Sequence, residues 1–372
     1  MRAELALAAA ALLSACQVPL TIGTERRESV AALAVDPVSG DFLQAGFRFA
    51  ARPDEATSDL WYGRVDATGQ FRHDATTVDV AGGADAVRAA ARVTGGWVLA
   101  GQVTDAAGQQ VAWVRRLDDA EATLWTVELG RAGTSTSARA VAVAADQTVV
   151  VGGVEVQPGG ALDGWLARLG TDGQVLWRSS FATDYQRMAS GNTVLGLALI
   201  APSVNQIYTI GQRNRGGAIT AGGLQLSLAG DLFDSHPLPG REGGALFADG
   251  YDHLDACVTD ESGGLHLLRM DRAFVVSGDL PLQAQGARLE LGGCAQSPTT
   301  LWLGATAVHT DGSRVPFVAA VGLSPFTTPR TAEVTQPEGT TVLSVATHEA
   351  STTLGGRTEA LLRRWMTGSP AL

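Results

Sequence analysis

The stretch Asp163-Gly164-Trp165-Leu166-Ala167-Arg168-Leu169, the turn Thr171-Asp172-Gly173 and the run Gln174-Val175-Leu176-Trp177 decide the fold. Asp-Gly between two β-rich runs is the strongest short-range hairpin signal. Just upstream, Arg139 to Ala144 is a first β-rich run, Asp146-Gln147 a turn, and Thr148 to Val154 a second run. Within that second run Val149-Val150-Val151 is apolar on both faces, which demands cover on both sides, as in a stacked blade. The unit reads as four antiparallel strands, with no amphipathic stretch of helical length interrupting it.

The same unit recurs. Trp61, Trp113 and Trp165 are each 52 residues apart, as are Arg64, Arg116 and Arg168, and Val65, Leu117 and Leu169; Trp125 and Trp177 repeat the interval. Self-similarity at this period marks propeller blades or long solenoid repeats, and four-stranded units at this period are blades. A Gly near the end of the second strand tracks further units at Gly46, Gly101, Gly152, Gly211, Gly304 and Gly355. The gap of 93 between Gly211 and Gly304 is nearly two periods and predicts a degenerate blade around residues 252 to 291. Seven blades result, with six or eight as alternatives. The expected fold is therefore an all-β, seven-bladed β-propeller of four-stranded antiparallel blades. Leu361-Leu362-Arg363-Arg364-Trp365 reads as a third strand with little chain after it, so Val18 to Gly23 is expected to supply the missing strand and remove an exposed edge.

The segment Asp163 to Leu169 followed by Asp172 to Trp177, with the preceding Val141-Ala142-Val143 and Val150-Val151-Gly152-Gly153, resembles the bacterial β-propeller repeats of the SBBP kind. More loosely it is similar to quinoprotein-type blades. The resemblance covers residues 30 to 184 and fades beyond them. It implies a propeller; a quinone site would in addition need a channel cluster that the sequence does not display.

Arg2, the nine-residue apolar run Leu5 to Leu13 and the small residues Ser14-Ala15 have the layout of an export leader. Leu13-Ser14-Ala15-Cys16 resembles a bacterial lipobox, which implies cleavage before Cys16 and acylation of its sulfur; Glu4 departs from the pattern. Gln17, where that family places Asp for inner-membrane retention, implies sorting to the outer membrane. An ordinary secretory signal with a chance cysteine is the alternative. The expected organisation is a lipoprotein signal peptide at 1–15, a lipid anchor and ring-closing strand at 16–29, and a propeller at 30–372. Two or three acyl chains, at about 0.8 kcal/mol per buried methylene, make a stable anchor. No later stretch approaches the ~18 apolar residues of a membrane-spanning helix.

Of 372 residues, 45 are Gly and only 17% are charged, with 45% apolar, which excludes disorder driven by polarity. The net charge of −11 argues against a partner held through phosphate contacts, so no nucleic acid is expected. All 27 basic residues are Arg, which removes every mechanism that needs a primary amine side chain.

The usual catalytic motifs are missing: there is no G-x-S-x-G, H-E-x-x-H, G-x-G-x-x-G, Walker loop or C-x-x-C. One constellation carries chemistry. His253, Asp255 and Cys257 fall at i, i+2 and i+4 of what reads as an innermost strand, so all three point one way and present zinc-ligand types. His266 joins them only if a neighbouring strand brings it round. The alternative reading is a polar channel wall with one half-cystine. Asp172-Gly173 and Asp311-Gly312 lack the further acidic ligands of a calcium loop. No cofactor is expected, with zinc or calcium as the alternatives. Cys257 and Cys294, read as lying on first strands of successive blades, are disulfide candidates, which a Cα separation above about 7 Å would forbid. The repeated Trp and Arg are expected to fill space and to pair between blades. Two functions are open: a monomeric, outer-membrane-anchored module that binds a basic or neutral envelope protein or polymer without catalysis, or a channel-mouth lyase or hydrolase acting on a glycan or other envelope polymer. Propeller lipoproteins among outer-membrane assembly factors are an analogy for the first, at fold level only.

Overall fold

A computed structural model describes residues 20–22, 28–49, 57–66, 70–80, 82–181, 195–200, 206–215, 218–248, 252–296, 300–323, 326, 330–333, 341–348, 351–357 and 362–367. Cys16 and the leader lie outside the described residues. Among the described residues all the sheets are four-stranded and antiparallel. Six are each built from four consecutive strands, within residues 28–78, 86–128, 135–180, 196–238, 242–282 and 287–333, here the first to sixth blades. A seventh sheet joins Thr341–His348, Ser351–Arg357 and Leu362–Thr367 to Leu20–Ile22, with Leu20 opposite Arg364 and Ile22 opposite Leu362. The opening strand of each sheet touches that of the next, from Glu28–Val35 round to Thr341–His348, which touches Glu28–Val35 again. The chain is thus an all-β ring of blades.

Packing explains the two-faced strands. Val149 and Val151 join the apolar cluster that contains Val98, Val114 and Trp165, between the second and third blades. Val150 points the other way, into the cluster with Ile207 and Leu224 of the fourth blade. Similar clusters join the first blade to the second, the fourth to the fifth and the fifth to the sixth. The core is therefore a series of blade junctions. Trp97, Trp113 and Trp165 are among its largest fully buried side chains, each contributing about 1.5–3 kcal/mol by burial.

All the inner strands but that of the fourth blade, Gly196–Ile200, carry a β-bulge, and the bulge explains the repeated glycine. Register shifts fall between Val30 and Ala32, Val87 and Ala89, Ala138 and Ala140, Gly243 and Ala245, Leu291 and Gly293, and Val342 and Ser344. A Cβ placed on Gly46, Gly101 or Gly153 would meet the carbonyl oxygen of Ser29, Ala86 or Ser137 at 1.8, 2.0 and 1.9 Å. The bulge pushes that carbonyl into the space a side chain would need. Gly46, Gly101 and Gly153 also lie opposite Trp61, Trp113 and Trp165, so in the third blade the equivalent position is Gly153 rather than Gly152.

Two expectations need correction here. The blade expected around 252 to 291 runs from Glu242–Ala248 to Val276–Leu282. Its inner strand is Glu242–Ala248, so His253–Thr259, which carries His253, Asp255 and Cys257, is the second strand and not the innermost. The Gly-rich start Glu242-Gly243-Gly244 hides that inner strand, because it offers few β-branched residues to read.

Candidate functional site

The repeated Arg and Trp form straps between blades. On the third strands Ser58–Val65, Leu162–Leu169 and Leu265–Asp271, Arg64, Arg168 and Arg269 occupy equivalent positions, and each donates to a backbone carbonyl of the following blade: Asp119 at 3.1 Å, Leu228 at 3.0 Å, and Leu323. Arg116 instead donates to Thr94 in its own blade at 3.0 Å. The indole nitrogens of Trp125 and Trp177, cross-strand partners of Arg116 and Arg168, donate to Thr171 and Leu228 of the next blade, each at 2.9 Å. Trp125 lies against Gly173 of the next blade's outer turn, whose φ of 85° suits glycine and whose missing Cβ admits the ring. These residues build the ring rather than line a ligand site.

The second strand of the fifth blade shows what becomes of the zinc-like constellation. Leu254, Ala256 and Val258 face the fourth blade, and the alternate face, with His253, Asp255 and Cys257, looks toward the sixth. Asp255 is fully buried and held by Arg269, with Nε to Oδ1 at 2.8 Å and Nη2 to Oδ2 at 3.0 Å, and it accepts a bond from Gln296 of the sixth blade at 3.3 Å. Asp255 occupies the register position of Val98 and Val150, both opposite the repeated Arg, so a carboxylate stands here where the other two blades bury valine. Cys257 is bonded to Cys294 on the inner strand of the sixth blade, with S–S at 2.05 Å and Cα–Cα at 7.0 Å. The two cysteines therefore sit on a second and a first strand, a correction to the expected pair of first strands. His253 is exposed at the strand end. Among the described residues no group of three or more His, Cys, Asp or Glu side chains is arranged to hold a metal ion.

His266 lies elsewhere. It takes the register position that Trp165 holds in the third blade, opposite Val258, and its Nδ1 and Nε2 approach Asp279 at 2.8 Å and Asp260 at 3.3 Å. Burial pulls its pKa down, but the two carboxylates outweigh burial and hold it above the ordinary histidine value. With a carboxylate on each nitrogen, the ring has no free lone pair to serve as a general base. Asp260 is held below the usual carboxylate range, chiefly by the Ser262 hydroxyl. His266, Asp260 and Ser262 edge a groove of about 720 Å³ between the fifth and sixth blades, lined also by Leu265, Arg288 and His309. No catalytic motif in the sequence points to this groove, because its members come from two blades.

The chain aligns with the WD40 β-propeller domain of Doa1 over 94% of its own length and 95% of the other, at 12% identity and a TM-score of 0.54. The fold is a β-propeller. A second propeller-length alignment, to Sqt1 from Chaetomium thermophilum, covers 95% of this chain and 100% of that one at 15% identity and a TM-score of 0.47. No protein-family model matches the sequence, and no curated protein matches it. At such identity the likeness concerns the propeller alone.

Proposed function

We propose that the chain is a lipoprotein of the outer membrane, acylated at Cys16, whose propeller binds an envelope protein without catalysing a reaction. The observation that carries this reading is the use of the distinctive side chains: the repeated Arg and Trp tie blade to blade, and Asp255 and Cys257 are engaged with Arg269 and Cys294. Catalysis requires an acid, base or nucleophile with a free reacting atom in a pocket, and these residues have spent theirs on the scaffold. A rigid ring with a groove at the cross-linked junction of the fifth and sixth blades suits a docking platform. The net charge of −11 favours a basic or neutral partner at low salt.

The experiment has two arms. Membrane fractionation with lipid labelling compares the wild type with Cys16→Ser; release of the variant and loss of label are expected, and a variant that stays membrane-bound and labelled refutes the anchor. Purified protein, with and without zinc or calcium, is assayed on glycan, peptide and ester panels beside a cross-linked capture from envelope extract. A stoichiometric, salt-sensitive protein partner without turnover is expected. Turnover that disappears in His253→Ala would overturn the binding reading in favour of an enzyme.

A further inference from the structure

The bulge carried by six of the inner strands places one extra residue at the same level of the ring: Ala31, Arg88, Arg139, Gly244, Gly292 and Leu343. Bulges re-aim side chains and recur beside functional sites. Four of the six positions are filled by Ala, Gly or Leu, and the two arginines stand in successive blades, on inner strands that touch each other. The Arg139 charge is a secondary cause, after burial, of the lowered Arg88 pKa.

Neither arginine forms a salt bridge among the described residues. Arg88 lies with its guanidinium carbon 5.3 Å from the centre of the Phe47 ring of the first blade, and its Nε is buried without a hydrogen-bond partner. Burial, with the Arg139 charge behind it, pulls the Arg88 pKa down to about 10. Arg139 keeps solvent contact, yet burial also lowers its pKa, and the carboxylate it feels is that of Glu242, on the inner strand two blades away. Arg139 is exposed between buried Ala138 and Ala140 on an inner strand, and the inner strands close round the axis, so its side chain borders the axial space. A partly buried guanidinium with an unbonded Nε, beside a second positive charge, is costly unless something negative joins it.

We propose that Arg88 and Arg139 form an oxyanion site at the rim of the axial space, which takes a compact ligand through one carboxylate or phosphate group. The planar fork of guanidinium matches either group, and a stacked Arg keeps its N–H edge free for such a contact. The overall charge of −11 repels an extended polyanion, so the ligand is small or presents a single acidic group. The site does not depend on the proposed anchor or envelope partner.

Calorimetric titration of the purified chain at low ionic strength tests this, with glutarate and inorganic phosphate as separate probes and chloride as the control for ionic strength. Saturable binding of at least one probe is expected, and the stronger probe identifies the group. Arg88→Gln and Arg139→Gln should each weaken it about tenfold, the loss of one charge-assisted bond. Arg139, on the solvent side, can be replaced without disturbing the Phe47 contact, so its variant remains informative if Arg88→Gln folds poorly. No saturable binding of either probe up to about 10 mM, or binding unchanged by Arg139→Gln in folded protein, would overturn the proposal.

Discussion

The indole nitrogen of Trp177 donates to the backbone carbonyl of Leu228 at 2.9 Å, and this bond joins the outer strand of the third blade to the outer turn of the fourth. Arg168 donates to the same oxygen at 3.0 Å, so one carbonyl serves two members of the 52-residue repeat.

Trp177→Phe keeps most of the ring and removes the donor, and should cost about 1 kcal/mol. Arg168→Gln should cost a similar amount. Because both donors share the Leu228 oxygen, the double variant should differ from the sum of the two single effects. Urea midpoints of the four proteins measure the coupling; strict additivity would mean that the bonds act separately.

The Cys257–Cys294 bridge crosses from the fifth blade to the sixth. Replacing both cysteines by Ser should destabilise the ring by about 2–4 kcal/mol. Reductant should lower the melting temperature of the wild type and leave that of the double variant unchanged. A reductant effect of equal size on both would refute the bridge as its cause.

Asp255 is buried in a position where Val98 and Val150 stand in other blades. Asp255→Ala should therefore cost about 3–5 kcal/mol, since it leaves Arg269 without its carboxylate. Asp255→Val with Arg269→Leu should recover part of that loss by restoring an apolar pair, although the Arg269 bond to Leu323 is lost with it. Added zinc should shift the melting temperature of neither wild type nor variant. Denaturant unfolding gives the energies, and a double variant less stable than Asp255→Ala would count against the account.

His266 titrates above its ordinary value because Asp279 and Asp260 together outweigh burial. A folded-state pKa raised above the unfolded value contributes stability that is fully present below the unfolded pKa, near 6.5, and is lost as pH rises through the folded value. His266→Gln should thus destabilise more at about pH 6 than at about pH 9. Melting curves across that range decide it, and a pH-independent loss would show that the imidazolium is not the stabilising form.

The third blade was the most legible because its signals are local. Asp172-Gly173 marks its outer hairpin, Val149-Val150-Val151 announces cover on two faces, and Trp165 with Arg168 carries the period. The fifth blade misled for the converse reason. Its inner strand begins Glu242-Gly243-Gly244, His266 replaces the tryptophan and Val258 the second-strand glycine, so His253–Thr259 carries the first clear β pattern of the blade. His253–Thr259 is one strand further out than the sequence suggests, so Asp255 and Cys257 meet the sixth blade and not the channel.

Strand identity, hairpin turns and repeat length depend on residues a few positions apart, and the chain states them directly in its alternation, its Asp-Gly turns and its interval of 52. Which carbonyl an Arg or Trp reaches, which cysteine strand lies inward, and which charges share the ring's centre depend on how neighbouring blades stack. Arg88 and Arg139 look like two ordinary surface arginines, 51 residues apart, until a bulge in each of two touching inner strands gives them the same place in adjacent blades. The blade junctions set that geometry through contacts between residues far apart in the chain, and no local pattern encodes it.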